Sequence, residues 1–497
     1  MNWLDKTILS FAPKWGAERA RNRVLAEQFL SYDAAQPGRT RKMKADHRSG
    51  DTAVHTAGRS IRGQARYLDE NHDLVVGLLD KLEQKVVGHR GISVEPMPLT
   101  VTGEKSEDFA KEISMFFDEL SIAPDTTGEY SRAEMERLVC RSWLRDGEVF
   151  GKFVEGNVSS FNHNTSIPLS VELLEADFLP FDDFPRNKII QGIERNDWGQ
   201  PKAYHFYKQH PGNTWKVNTQ TVPVPADRVM HLKHTNRLRQ SRGISILHAV
   251  ITRLEDLKDY EESERVAARI SAVLAAYIKR PDGPGLGGKP NGDRTFQMAP
   301  GMVFDGLMPG EEVGTVESNR PSTLLQPFRD SMLRAVASGT RSTFSSISGQ
   351  YDGSYSSQRQ EMVEGYAGYE ALQEIFISKW SRKFYRRALQ IGIATGRLNP
   401  PLDIDERTIF NAVYIAPVMP WIDPDKETKA NERQVKAGFN TEANIIRSKG
   451  LNPQEVKKQR EQEVKENLDR DLIFSSDARH EIQQQQTPKG ADNATDK

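Results

Sequence analysis

The sequence predicts a mixed α+β chain organised around unusually long helices. Three observations predict it. Apolar residues recur at helical spacing over 245–277, 322–339 and 356–395, and runs of that length exceed what a small globule encloses. Residues 165–235 form a β-rich module of short apolar runs separated by turn residues. Between the last two helical runs lies Phe344 to Glu361, in which six of 18 residues are serine and the only charges are Asp352, Arg359 and Glu361.

The chain opens with a basic arm over 1–60, where Arg39, Arg41, Lys42, Lys44 and Arg48 crowd together. Such an arm is either a solvated surface or a segment that packs on a neighbouring subunit or touches DNA phosphates. Residues 61–95 read as helix, with Leu68, Val75, Leu79, Leu82 and Val86 at helical spacing and Val87-Gly88 as its end. Helices follow over 106–121 and 131–146; Asp146-Gly147 turns into a strand over Glu148–Val154. In the β-rich module the expected strands are 168–174, 188–194, 203–208 and 228–233.

Ser241-Arg242-Gly243 precedes a helix expected over 245–277, striped by Leu247, Ile251, Leu254, Leu257, Val266, Ile270, Val273 and Tyr277. At 1.5 Å per residue it would run about 50 Å and pack beside other such helices. Its stretch 255–265 carries six acids against two bases. Residues 281–320 are rich in Gly and Pro, with short strands expected near 301–306 and 311–317. The helix over 322–339 aligns Leu325, Phe328, Met332 and Val336; the one over 356–395 aligns Met362, Tyr366, Tyr369, Phe376, Trp380 and Phe384. Lys379, Arg382, Lys383, Arg386 and Arg387 in its second half suit a helix C-terminus. A charge-saturated helix over 454–470 and a Gln-rich polar tail end the chain.

Composition excludes several classes. With Lys+Arg at 68 and Asp+Glu at 69, the whole chain is not a general nucleic-acid glue. One cysteine, Cys140, excludes a disulfide framework and fits a reducing compartment. No run approaches a membrane span and the N-terminus is not a signal peptide. A mean hydropathy of −0.64 suits a subunit with much wetted surface.

Nothing in the spacing supports an enzyme. Gly283-Pro-Gly285-Leu-Gly287-Gly288-Lys289-Pro290 approaches a phosphate loop, but Pro290 removes both the Mg²⁺-binding hydroxyl and an N–H, and turn residues follow where a helix must begin. It reads as a hairpin tip. His231 and His234 point to opposite faces of a strand and make no metal pair. No catalytic residue, metal ligand or cofactor is expected. A polar loop held between two long helices reads either as a connector or as a surface displayed into a wet space, sliding against a partner it must not grip.

The order long helix, small Gly/Pro-rich β insert, shorter helix, serine loop, very long helix resembles the portal proteins of tailed bacteriophages, lambda-type family, over roughly 20–470. The resemblance rests on Ser31-Tyr32-Asp33-Ala34-Ala35, the run Gly63 to Asn71, Val86-Val87-Gly88-His89-Arg90-Gly91-Ile92, Arg242-Gly243-Ile244-Ser245, Ser354-Tyr355-Ser356-Ser357-Gln358-Arg359 and Trp421 to Glu427, in that order. It implies a portal-type fold assembling as a homododecameric ring at one capsid vertex of the virion, built in the host cytoplasm, with no membrane partner. Double-stranded DNA would pass its channel, driven by the large terminase subunit; major capsid, scaffold and head-tail adaptor proteins would dock on it. By that likeness 1–60 is an arm and 61–240 the wing. The first stem helix is 241–280, with Leu254, Leu257, Ile270 and Val273 in assembly. The clip is 281–320, with Lys289 and Arg294 as contacts, and 321–343 the second stem helix. The tunnel loop is 344–357, with Ser345, Ser346, Ser348, Gln350, Tyr351, Asp352, Ser354, Tyr355 and Ser356 facing DNA. The long wing helix and wing return fill 358–439, the crown 440–480, and 481–497 is a disordered tail. The channel must let phosphates pass, and each fixed cation facing one adds a salt-dependent grip, so a neutral loop and an acidic stem suit it. An ATP-driven nucleic-acid motor is the alternative, disfavoured by the broken phosphate loop; a cellular scaffold protein is a third.

Overall fold

The computed structural model describes residues 12–15, 17–19, 21–22, 46–182, 188–213, 220–272, 276–279, 312–315, 325–419 and 424–472. The chain divides into two units, Met1–Ala53 and Val54–Lys497. In the first, Arg48 pairs with Asp46 at 2.9 Å; the arm's other basic residues, and the motif at 31–35, lie outside the described residues. All that follows concerns the second unit.

The expected helix over 61–95 is two helices, α1 (Gly50–Asn71) and α2 (Asp73–Val86), broken at His72, whose φ of −130° and ψ of 108° are extended. Val87 and Gly88, φ +73°, end α2 as predicted, and strand β1 (Ser93–Pro96) occupies the remainder. Helices α3 (Glu107–Ser121) and α4 (Arg132–Asp146) fall within a residue of the prediction. Ser131 and Glu134 form a capping box at the start of α4. Gly147, φ +91°, closes it and feeds β2 (Glu148–Glu155).

Strand β2 is the centre of an antiparallel sheet, between β3 (Leu169–Glu175) and β8 (Val229–Lys233). A second sheet runs β4 (Ile189–Ile190), β5 (Ile193–Arg195), β6 (Pro201–Tyr207) and β7 (Thr221–Pro225). The single strand expected over 188–194 is a hairpin, because Gln191 and Gly192 both take positive φ. Strand β7 has no counterpart in the sequence reading; its Pro223 and Pro225 argue against a central strand, and it lies at the sheet edge, where proline is tolerated.

The helix expected over 245–277 is shorter. A 3₁₀ turn, Ile246–Ala249, leads into α5 (Ile251–Ala272), about 33 Å long. Tyr277 instead belongs to β9 (Ala276–Lys279), paired antiparallel with β10 (Glu312–Thr315). The strand expected near 301–306 lies outside the described residues. Helix α6 (Leu325–Gly339) follows; its buried face is Leu333, Val336 and Ala337, while Phe328 is half exposed, so the apolar stripe is rotated by one residue from the predicted one. After α7 (Phe344–Ser348) comes α8 (Tyr355–Phe376), which continues through a π turn, Ile377–Ser381, into α9 (Arg382–Ala394). The predicted stripe holds from Tyr366 to Phe384, all buried. Strand β11 (Ala412–Ile415) pairs with β1, and α10 (Pro424–Lys436), α11 (Glu442–Ser448) and α12 (Pro453–Asp469) complete the described chain.

One large core joins these parts: Leu68, Leu79, Leu82, Phe109, Trp143, Phe376 and Trp380 belong to a single buried cluster. Gly151 on β2 has no side chain because the Trp380 ring lies over it; a methyl there would come within 2.6 Å of the ring. A smaller cluster, around Phe150, Tyr204 and Phe206, fills the space between the two sheets. Among the described residues no helix is long and apolar enough to cross a membrane.

Candidate functional site

The segment that leads into α5 is anchored by buried charge. Glu148 and Arg242 are fully buried, and Arg242 Nε donates to Glu148 Oε1 at 2.7 Å. The rest of the guanidinium is satisfied by the carbonyls of Pro180 (3.0 Å), Gln191 (3.2 Å) and Ala176 (2.9 Å), and it lies 4.3 Å from the Phe181 ring centre. Arg62 of α1 reaches the same Glu148 oxygen at 3.0 Å. The other oxygen accepts from Gly243 N at 2.9 Å and faces His231 Nε2 at 3.2 Å.

Burial alone would raise the Glu148 carboxyl, but Arg242, His231 and Arg62 outweigh it and hold the group well below the usual carboxylate range. Burial lowers His231 to about 4, so at neutral pH it is an uncharged ring that donates from Nε2 and accepts from the Tyr204 hydroxyl at Nδ1, 3.3 Å away. A methyl on Gly243 would strike the Gly147 carbonyl, and Ser245 caps the 3₁₀ turn by accepting from Leu247 N at 3.1 Å. Thus Arg242-Gly243-Ile244-Ser245 is a structural joint between β2, β8 and α5.

The run Gly63–Asn71 is of the same kind. Arg66 pairs with Asp146 at 2.7 Å and with Asp177 at 2.5 Å, and Asp69 pairs with Arg141 at 2.6 Å. Glu175, Asp177 and His210 bring metal-ligating atoms within 4.8 Å of one another, but Arg62, Arg66 and Arg145 already pair with those carboxylates, a setting that opposes a cation. His231 and His234 share no ligand point: His234 Nδ1 faces the Ile244 carbonyl at 3.1 Å. Cys140 is buried, and burial pushes its thiol well above its usual value, so it is no nucleophile at neutral pH.

Helices α5 and α6 pack side by side. Tyr260 and Phe328 rings lie 4.8 Å apart, and Arg329 pairs with Glu261 at 2.7 Å. Leu254 and Leu257, expected to serve assembly, are buried inside the single chain, and the Leu254 carbonyl faces His72 Nε2 at 3.3 Å. Val266, expected in the same stripe, is half exposed. The side chains of Ile270 and Val273, and Lys289, Arg294 and the near-phosphate loop, lie outside the described residues.

The serine-rich segment is more ordered than a connector. Thr343 caps α7 by accepting from Ser346 N at 3.3 Å, and the Ser345 N–H donates to Glu361 of α8 at 3.0 Å. Ser345 is buried, a correction to its expected place on an exposed loop, and Ser346 and Ser348 are half buried. Gly349, φ +69°, ends α7, and the open turn is Gly349–Gly353. Ser354 caps α8 by accepting from Ser357 N at 3.3 Å. Gln358 Nε2 donates back across the turn to Gly353 O at 3.0 Å and to Tyr351 O. Gly365 makes the seat: a methyl there would overlap Thr343 Cγ2, so the absence of a side chain lets the segment lie against α8. What is displayed is Tyr351, Asp352, Ser354, Tyr355 and Ser356, all exposed, with half-buried Gln350 beside them. The exposed strip holds one acid and no cation.

Arg387, read as a dipole partner, instead pairs with Glu155 at 2.5 Å, and Arg382 and Arg386 stack on Tyr414 and Phe410. Periodicity within α9 could not find partners that lie on other elements.

The family model described as "Phage portal protein, lambda family" matches residues 36–373. A relative from Halomonas phage phiHAP-1 (isolate -/Gulf of Mexico/-/2001), described as a probable portal protein, is 23% identical over 450 residues, covering 86% of this chain and 83% of its own. Among solved structures, a chain in the neck of an empty gene transfer agent particle, computed with C6 symmetry, aligns with a TM-score of 0.46 at 12% identity, over 80% of this chain and 94% of that one. An HK97-family phage portal protein from Corynebacterium diphtheriae aligns with a TM-score of 0.32 at 11% identity, over 64% and 89%.

Proposed function

The chain belongs to the lambda family of phage portal proteins, and from that premise we propose that it forms a homododecameric ring whose channel conducts double-stranded DNA at one capsid vertex. The single observation that carries the channel reading is the displayed strip Gln350–Ser356, exposed apart from Gln350, free of cations and fixed between two helices. A surface of serine, glutamine and tyrosine offers passing phosphates no counterion-releasing contact. Pinning by Thr343, Glu361 and Gly365 keeps the strip from collapsing onto the protein.

In this reading α5 and α6 are the stem, the insert between them the clip that meets the terminase motor and head-tail adaptors, and α8 with α9 the long wing helix. Helices α11 and α12 belong to the crown. Capsid and scaffold proteins meet the ring at its periphery, and assembly occurs in the host cytoplasm. The protein is a conduit with no catalysis of its own. Leu254 and Leu257 hold the stem pair together within a subunit. Neighbouring stems meet through the apolar groups that a single chain leaves half exposed, Val266 and Phe328.

Electron microscopy of the purified chain tests the ring: particles with a central hole are expected, and uniformly monomeric protein contradicts it. Phe328→Glu should leave the subunit folded by circular dichroism yet abolish rings in sedimentation. Leu254→Asp should unfold the subunit itself, because an unpaired buried charge has no compensation.

A further inference from the structure

We propose that a second region, the cleft beside Gly88–Gly91, grips the phosphodiester backbone of double-stranded DNA; this rests on the reading of the chain as a DNA conduit. The loop is built to be rigid. Gly88 and Gly91 take φ of +73° and +71°, and methyl groups on them would lie 2.7 Å from Pro417 Cγ and 2.6 Å from Glu136 Oε2. Ile92 N donates to Glu136 Oε2 at 2.8 Å, and Arg132 Nη1 donates to the Ile92 carbonyl at 2.8 Å. Clamped on both sides, the turn leaves only His89 and Arg90 in water.

They face a cavity of about 1000 Å³ that Lys85, Arg137 and Lys449 also line. Four lysine and arginine side chains there meet two glutamates, Glu83 and Glu455. Arg137 stands 4.0 Å from Glu83, whereas Lys85, Arg90 and Lys449 have no carboxylate within salt-bridge distance among the described residues. Burial, then the neighbouring Lys81, depresses the Lys85 ammonium, as happens where cations face one another without an anion between them.

The occupant follows from what the walls lack. No Phe, Tyr or Trp lines the cleft, so it offers no platform for a drug-like ligand and no pocket for the aromatic anchors of a protein partner. Cations spread over the end of α2 and the turn after α11 suit an anion repeated along a chain. Phosphates recur along duplex DNA, and lysine and arginine bind them without reading sequence. The molecule would thus hold DNA at the cleft and let it slide at the loop.

The test uses rings of the full chain and a fluorescently labelled duplex of about 20 base pairs, followed by anisotropy across a salt series. Wild-type rings should bind more weakly as salt rises. Lys85→Gln, Arg90→Gln and Lys449→Gln together should weaken binding at least tenfold at low salt and flatten the slope of log K against log salt by about 2–3, near 0.9 for each lost phosphate contact. Arg90→Gln alone, at an exposed position, should flatten it by about 0.9 and serves if the triple variant fails to fold. Lys457→Gln with Arg460→Gln and Lys465→Gln, exposed on α12, should change nothing. The proposal falls if the cleft triple binds like wild type, if the α12 triple weakens binding equally, or if wild-type rings ignore the duplex and bind an acidic peptide. Absence of rings in micrographs of the wild type would instead sink the conduit reading, whatever the anisotropy shows.

Discussion

The joint at Glu148 and the strip at Gln350–Ser356 use charge in opposite ways. At the joint the chain removes Arg242, Glu148 and Arg62 from water and satisfies them almost completely. In the strip it leaves side chains in water and withholds cations. Hydrogen bonds fix both places, but at the joint they end on ionised groups, whereas at the strip they end mainly on hydroxyls, amides and backbone. Directional ion pairs lock the wing sheet to the helix that leaves it. A neutral strip can be equally well placed and still present nothing that holds a phosphate. The difference teaches that position and grip are separable: the fold spends its charges on geometry where nothing passes.

The largest effect that could break this comparison is at the joint. Arg242→Ala leaves Glu148 buried with its nearest partner gone, and loss of one member of such a pair costs about 3–5 kcal/mol. Thermal unfolding should show it, whereas Arg359→Ala, exposed beside the strip, should move stability by less than about 0.5 kcal/mol. Equal effects would mean that the buried pair is not what holds the sheet to α5.

Acid sharpens the same contrast. His231 is depressed to about 4 in the folded chain against 6.5 when free, so the unfolded state binds its proton first as pH falls. Its contribution is full above pH 6.5 and is lost between there and about 4, up to roughly 3 kcal/mol. Glu148, held low, loses its contribution only below the ordinary carboxylate range, so within this joint the upper window belongs to His231. Melting temperature should fall from pH 7 to pH 5 in wild type and fall less in His231→Gln; an identical decline would remove His231 from the account.

A smaller effect is expected at the seat of the strip. Gly365→Ala crowds Thr343, an overpacking cost of about 1–3 kcal/mol, partly offset by the roughly 1 kcal/mol that alanine gains over glycine within a helix. Thr343→Ser removes the crowding methyl and keeps the capping hydroxyl, so the double variant should recover wild-type hydrogen-exchange protection at Ser345. Failure of that rescue would show that the glycine does not set the approach.

How much of this the sequence carried depends on distance along the chain. Helices α3 and α4 and strand β2 were legible to within a residue because their signals are local: Ser131 with Glu134, the stripe, and Gly147. The serine segment was legible as polar and uncharged, but its short helix was not, since α7 depends on Thr343 capping and on Glu361 reaching back from α8. The end of α5 was misplaced because Tyr277 and Ile278 fit an apolar helix as well as a strand, and β10, far along the chain, decides between them. The joint was invisible. Arg62, Glu148, His231 and Arg242 read singly as surface charges or strand residues, and only folding brings them together. The one faint signal was Arg242 immediately before Gly243.

The central claim is that Gln350–Ser356 faces moving DNA and lets it pass because it carries no cation. The direct measurement is the packaging rate of single capsids whose rings carry Gln350→Lys, Ser354→Lys and Ser356→Lys, at two salt concentrations. The account predicts slowed packaging, most at low salt, because added phosphate contacts weaken as salt rises. Packaging at the wild-type rate in low salt would contradict it, and would place the strip away from the DNA.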